Sequence, residues 1–240
     1  MVTSRESVSI CMPVLNEIDV IPEVLKSWLE VCAKLPSGSL VLVEDGGSTD
    51  GTVEYLRSLA ATNGMLKVIE KSKPEGFGTA AKNLFQNGDN YWLFFTDSDG
   101  QYVSSDFWEI WNRREGKSIV RGMKLGRQDP LFRRLTSFIW NKLVRFLFEL
   151  PMSDINSAFF LMKQSDLNGI IPKLKHLPTM VVSELMIHSY LSNLEIKNVY
   201  INHMPRKVGN SRGVPPLKLI SISMKQFRGL YSIKATQRLR

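Results

Sequence analysis

The chain has only two cysteines, Cys11 and Cys32, and three histidines in 240 residues. Two cysteines cannot build a disulfide framework, and Cys11 sits inside an apolar run, so a reducing compartment is expected. No His/Cys spacing resembles a zinc site, and Glu184, His188 and His203 read as structural residues. No stretch reaches the roughly 18 apolar residues of a membrane span. Met1 to Ser7 is short and polar, without a signal-peptide core. The expectation is a cytoplasmic protein, with room for attachment to a membrane face. Internal repeats and low-complexity segments are also missing. Acidic residues are outnumbered, 23 to 31, for a net charge of +8. That biases the chain toward phosphates, nucleic acid or an acidic membrane surface without choosing among them. With 43% hydrophobic and 22% charged residues, the composition is that of an ordinary globular protein large enough for a sizeable core.

What the chain does have is Tyr91-Trp92-Leu93-Phe94-Phe95-Thr96-Asp97-Ser98-Asp99-Gly100-Gln101-Tyr102. The uncharged aromatic and aliphatic run reads as a strand buried on both faces of a parallel sheet. It stops at two aspartates spaced i, i+2, which extended backbone points to one side. Ligands of open α/β sheets bind beyond the carboxyl ends of the strands, where these aspartates fall. Two neighbouring carboxylates repel unless a cation lies between them, and oxygen ligands of this kind suit Mg²⁺ or Mn²⁺ shared with substrate phosphates. Gln101 adds a neutral oxygen on the same side. An Asp-Ser-Asp-Gly turn closing a strand is the plainer alternative.

Around it, strand alternates with helix. Val8 to Leu15 is a first strand, expected to break at Pro13, with Asn16-Glu17 at its end. A helix begins near Pro22 and runs to about Leu35. Leu40 to Val43 is a second buried strand, entering the acidic, glycine-rich turn Glu44 to Thr52 before a helix over Val53 to Ala61. Met65 to Glu70 is a third strand, and a loop bearing Lys73, Gly76 and Gly78 leads through a short helix to the central strand. Ser104 to Asp106 caps a helix over Phe107 to Glu115. Ser118 to Lys124 and Ala158 to Met162 are further strands. Leu131 to Leu150 is an amphipathic helix stopped by Pro151. A helix over Val182 to Leu191, a strand over Ile196 to His203, a basic loop through Arg212 and a helix-compatible tail from Leu217 complete the chain. The pattern is that of a nucleotide-binding α/β fold.

Taken together, Pro13-Val14-Leu15-Asn16-Glu17, Glu44-Asp45-Gly46-Gly47-Ser48-Thr49-Asp50-Gly51-Thr52 and Asp97-Ser98-Asp99-Gly100-Gln101 resemble the inverting family 2 glycosyltransferases with the GT-A fold. Gly122-Met123-Lys124, Arg127-Gln128-Asp129-Pro130, Asp154-Ile155-Asn156-Ser157 and Arg206 to Arg212 are similar to the branch of dolichyl- and polyprenyl-phosphate sugar transferases. The chain departs from that pattern at Glu44-Asp45, where an Asp-Asp pair is usual, at Lys124 for arginine and at Arg212 for lysine. The resemblance implies a mostly parallel central sheet flanked by helices, with residues 1–213 as the catalytic domain and 214–240 as a basic amphipathic tail.

The resemblance also implies the roles. Pro13, Leu15, Asn16, Glu17, Val43 and Asp45 would line the nucleotide crevice, Asp45 accepting from a base N–H. A turn aspartate capping the helix near Thr52 is the competing role for Asp45. Asp97, Asp99 and Gln101 would hold the metal, with Asp97 or Ser98 reaching the nucleotide. Lys124, Arg206 and Arg212 would hold phosphate charge, with Arg121, Arg127, Arg133 and Arg134 nearby. Asp97, Asp99, Lys124, Asp154 and Arg206 are the catalytic candidates. A phosphate acceptor is already an anionic nucleophile, whereas a sugar hydroxyl needs a base, for which Asp154 leads. The implied partners are a GDP- or UDP-sugar, a polyprenyl phosphate and a membrane surface, and no nucleic acid. A transferase to a saccharide hydroxyl and a catalytically silent nucleotide-sugar module are the alternatives.

Overall fold

The computed structural model describes residues 6–125, 131–205 and 216–238, with side chains described except at 131–133, 216–223 and 238. In chain order the elements are β1 (Val8–Val14), α1 (Ile21–Cys32), β2 (Leu40–Asp45), α2 (Thr52–Thr62), β3 (Leu66–Glu70), α3 (Phe77–Asn87), β4 (Trp92–Phe95), α4 (Phe107–Trp111) and β5 (Ile119–Leu125). There follow α5 (Leu131–Phe148), β6 (Phe160–Lys163), α6 (Gln164–Ile170), α7 (Val181–Leu191), β7 (Ile196–Asn202) and α8 (Pro216–Arg238).

The strands form one seven-stranded sheet in the order β3-β2-β1-β4-β6-β5-β7. β1 to β4 run parallel to one another, β6 runs antiparallel to β4 and β5, and β7 runs parallel to β5. β1 has β2 on one side and β4 on the other, so the strand order reverses there and a crevice opens beyond their carboxyl ends.

β4 explains why the sheet is covered on both faces. Phe94 packs against Trp28 of α1 at 5.2 Å and Phe107 of α4 at 4.9 Å, measured between ring centroids. Phe95 points the opposite way, against Phe85 of α3 at 5.2 Å and Phe160 at 5.6 Å. Both are fully buried, and each contributes about 2 kcal/mol of transfer free energy. Cys11 and Cys32 are buried free thiols.

The expected break at Pro13 does not occur: β1 continues to Val14. Thr96 N donates to Cys11 O at 3.1 Å, so alternate residues of β1 face β4. Pro13 is the next of these, just past the last β4 residue, where a missing N–H breaks no ladder. Among the α-helices of the described residues, α6 is the one that periodicity does not reveal. It is short and carries Ser165, Asp166, Asn168 and Gly169, and tertiary burial of Leu167 and Ile170 holds it. α8 is not a detached tail, because Leu230 and Ile233 are buried in the common core.

Candidate active site

Three loops close over the carboxyl ends of β1, β2 and β3. Asn16, at φ 48°, donates its N–H to Ser48 Oγ at 2.7 Å, and its Oδ1 accepts from Thr49 N at 2.7 Å. Glu17 N donates to Thr52 Oγ1 at 3.0 Å, so the loop after β1 is zipped to the loop after β2. Gly47 has φ +86°, and a Cβ there would lie 2.9 Å from the Lys73 backbone, which only glycine tolerates. The lysine-bearing loop after β3 is thereby pressed onto the same crevice.

Asp45 makes its hydrogen bonds within its own loop. It is fully buried, and its Oδ1 accepts from Gly47 N at 3.0 Å and Ser48 N at 2.9 Å. Its Oδ2 accepts from Ser48 Oγ at 2.5 Å. The carboxylate thereby shapes the turn that follows β2. At the start of α2, Asp50 Oδ1 accepts from Thr52 N at 3.0 Å. Val43 is likewise fully buried between Met12 and Val68, so its side chain cannot line the crevice. Glu44 is buried, which pushes its carboxyl up, and it accepts from Asn83 Nδ2 at 3.3 Å.

Past β4, Asp97 and Asp99 line one recess of about 290 Å³ together with Glu23, Trp28, Tyr102 and Met204. Asp99 Oδ1 accepts from Gln101 N at 3.1 Å, and Gln101 Nε2 donates to Met204 O at 3.1 Å. The amide nitrogen of Gln101 thus ties this loop to the end of the β7 segment, beside the Tyr102–His203 bridge. Ser98 is buried behind the aspartates. No cluster of three or more metal-ligating His, Cys, Asp or Glu exists among the described residues. The pair Asp97 and Asp99 nevertheless fits Mg²⁺ or Mn²⁺, hard ions that accept one or two carboxylates and take their remaining ligands from substrate phosphates and water.

Tyr102 is the hub that sequence reasoning did not single out. Its ring stacks obliquely on Phe159 at 5.0 Å, and Lys124 Nζ lies 5.3 Å from its centroid. Burial pushes the phenol up to about 12, with Lys124 pulling it down and Asp97 and Asp154 pushing it further up. Asp97, Lys124 and Asp154, drawn from three separate segments, are therefore gathered around one ring. Its signal in the sequence was an aromatic residue two positions after the second aspartate's glycine, too common to notice.

Asp154 stands at φ 49°, left-handed backbone for a residue with a side chain. Its Oδ2 accepts from Lys124 N at 3.2 Å. Arg121, grouped by sequence with the phosphate binders, is fully buried in β5 and faces no solvent. It donates from Nη1 to Ser153 O at 2.9 Å and from Nη2 to Asp154 O, while burial pulls its guanidinium down to about 10. Arg127, Arg206 and Arg212 lie outside the described residues, as does the side chain of Arg133.

From Asp154 and Lys124 an open groove of about 1340 Å³ runs along α5. Arg134, Lys142 and Arg145 supply its cations, and Leu135, Phe138, Phe146 and Leu150 its apolar wall. Among the described residues, seven of the twelve exposed large hydrophobic side chains lie on α5 or α8, namely Leu135, Phe138, Ile139, Phe146, Met224, Phe227 and Tyr231. No helix among the described residues is long and apolar enough to cross a membrane.

Known proteins resemble this chain in sequence or in fold. An undecaprenyl-phosphate 4-deoxy-4-formamido-L-arabinose transferase of Aeromonas hydrophila is 28% identical over 155 residues, 63% of this chain and 47% of the relative. The enzyme of the same name from Klebsiella pneumoniae is 28% identical over 142 residues, 58% of this chain and 43% of the relative. This chain thus spans about half the length of these relatives. Glucosyl-3-phosphoglycerate synthase from Mycobacterium tuberculosis, solved with UDP, superposes with a TM-score of 0.69 at 20% identity, covering 96% of this chain and 80% of its own. The same enzyme with Mn²⁺, UDP and glucosyl-3-phosphoglycerate gives 0.68 at 21%, covering 95% and 79%. At that identity the likeness speaks for the fold alone, which is GT-A. Residues 9–170 match the sequence profile of Glycosyl transferase family 2, and the chain belongs to that family.

Proposed function

We propose that this protein transfers a hexose, with inversion, from a GDP- or UDP-sugar to a polyprenyl phosphate, working peripherally at the cytoplasmic face of a membrane. The observation that carries the reading is the groove along α5. It is lined by the cations Lys124, Arg134, Lys142 and Arg145, with Asp154 and Glu149 beside them, and by the apolar Leu135, Phe138, Phe146 and Leu150, a mixture that suits a phosphate head on a hydrocarbon chain. The names of the relatives point the same way.

In this reading the three zipped loops hold the nucleotide, and Leu15, Asn16 and Glu17 form the crevice wall largely through their backbone. Asp97 and Asp99 would hold Mg²⁺ or Mn²⁺, which supplies Lewis-acid stabilisation of charge on the leaving nucleoside diphosphate. Lys124 orients the acceptor phosphate, whose oxygen attacks the anomeric carbon as the bond to the diphosphate breaks. The acceptor is already an anion, so no proton has to be removed. Arg206 and Arg212 are proposed to add phosphate contacts. Asp154 lines the same groove, so a saccharide hydroxyl could deliver its proton there.

The test is transfer of labelled hexose from UDP- and GDP-sugars with Mn²⁺, offered polyprenyl phosphate, free glycan or no acceptor. Label extracted with the lipid only when polyprenyl phosphate is present supports the proposal. Label on glycan alone assigns a hydroxyl acceptor, and no transfer to either supports a silent module.

A further inference from the structure

A second recess, of about 510 Å³, lies where the end of α7, the segment before it and α8 meet. Lys173, Lys175, His176 and His188 line it, and no acidic side chain does among the described residues. The recess is built rather than incidental. Glu184 is fully buried and accepts N–H bonds from Lys175 at 2.9 Å, His176 at 2.7 Å and Leu177 at 2.9 Å. That carboxylate fixes the loop carrying two of the four basic side chains, and its Oε1 lies 3.9 Å from His188 Nε2, one turn along α7. Lys173 Nζ donates to Ser192 Oγ at 3.1 Å, which holds the ammonium at the rim.

α8 closes the recess. A Cβ at Gly229 would collide with His176 O and lie 2.8 Å from Leu177 Cδ2, so only glycine lets the helix sit this close to the loop. Leu191 and Ile233 give the recess an apolar wall. The two lysines bring positive charge to a partly apolar pocket whose low-dielectric walls focus their field on an entering anion, and the two imidazoles add N–H donors.

We propose that this recess binds a phosphate-bearing ligand, distinct from the substrates of the transfer site, and that the ligand bridges α7 to α8. The chemistry suits either a free phosphate compound or a phospholipid headgroup. The inference is independent of the proposed sugar transfer.

The chain's three histidines make the test local. His176 and His188 are in the recess, whereas His203 lies edge-on to Tyr102 at 5.4 Å in the transfer site. The full chain with isotope-labelled histidine rings is titrated with inorganic phosphate by NMR, with resonances assigned through His176→Asn and His188→Asn. In parallel, sedimentation is measured with phosphatidylcholine vesicles with and without phosphatidic acid. A saturable shift of the His176 and His188 signals, weakened at least about tenfold in Lys173→Met/Lys175→Met, supports a free phosphate ligand. Sedimentation that requires phosphatidic acid and falls similarly in that variant supports a headgroup. Lys175 is exposed, so Lys175→Glu repeats the comparison without threatening the fold. A shift confined to His203, or binding indifferent to both lysine variants in both arms, overturns the proposal.

Discussion

Arg121, inside the sheet, donates from Nη2 to the backbone carbonyl of Asp154, the residue whose carboxylate opens onto the α5 groove. A buried cation is costly unless its donors are used, and here they fix the left-handed turn that presents a candidate catalytic side chain. Arg121→Met should leave Ser153 O, Asp154 O and Asn198 Oδ1 short of a donor. The relief of burying no charge offsets part of that loss, so the net destabilisation expected in urea melts is about 2–4 kcal/mol. Arg121→Lys should recover part of it. At matched folded fraction, kcat should fall more than donor KM rises, because the turn stands on the acceptor side.

Asp45→Ala should act first on stability. It removes an acceptor from Gly47 N, Ser48 N and Ser48 Oγ, and stranding buried donors costs about 1–3 kcal/mol each before relaxation. A drop of about 2–4 kcal/mol is expected, with donor KM raised because the nucleotide loop loosens. Unchanged stability with a raised KM would return Asp45 to direct base contact.

Tyr102 makes an alkaline prediction. Its phenol is pushed up to about 12 in the folded protein by burial, above its ordinary value of 10.0. The folded state therefore keeps a proton that the unfolded state gives up, so the contribution is complete below about pH 10 and lost as pH rises through about 12. It amounts to about 2–3 kcal/mol. The fall in stability between about pH 9 and pH 11.5 should be smaller in Tyr102→Phe by an amount of that order, read from urea melts.

Asp99→Asn should leave melting temperature within a degree or so, since the side chain is a partly exposed loop residue. An amide is a weak ligand for Mg²⁺ or Mn²⁺, so transfer at limiting metal should disappear. Calorimetric titration of Mn²⁺ in the presence of nucleoside diphosphate checks the cause. Wild-type metal affinity in the variant would remove Asp99 from the site.

The apolar stripe of α5 should attach the protein to anionic vesicles. Phe146 is 81% exposed and Phe138 62%, so Phe138→Ser/Phe146→Ser should leave stability unchanged while reducing sedimentation. Each basic residue near such a surface is worth about 1 kcal/mol, so Lys142→Glu should weaken binding roughly tenfold or more, and salt should do the same to the wild type. Equal sedimentation of all three proteins would separate α5 from any membrane.

Residue order alone carried the seven strands, most helices and the acidic residues at the strand ends, because those signals are local. An apolar run that stops at Asp97 and Asp99 declares both a buried strand and a polar exit, and burial of Phe94 and Phe95 on opposite faces follows from strand geometry. What each polar group faces was set by packing between segments. Asp45 and Arg121 are polar residues near a strand end in one dimension, and their side chains reach a loop and a turn because β2 and β5 are interior strands. Tyr102 became a hub, and the four basic residues beside α8 became one recess, through contacts between segments far apart in the chain. α6 formed because Leu167 and Ile170 had a core to enter, which local propensity does not encode. Periodicity records which side of an element is apolar, while the partner waiting on that side is set by packing, and the site's chemistry depends on the partner.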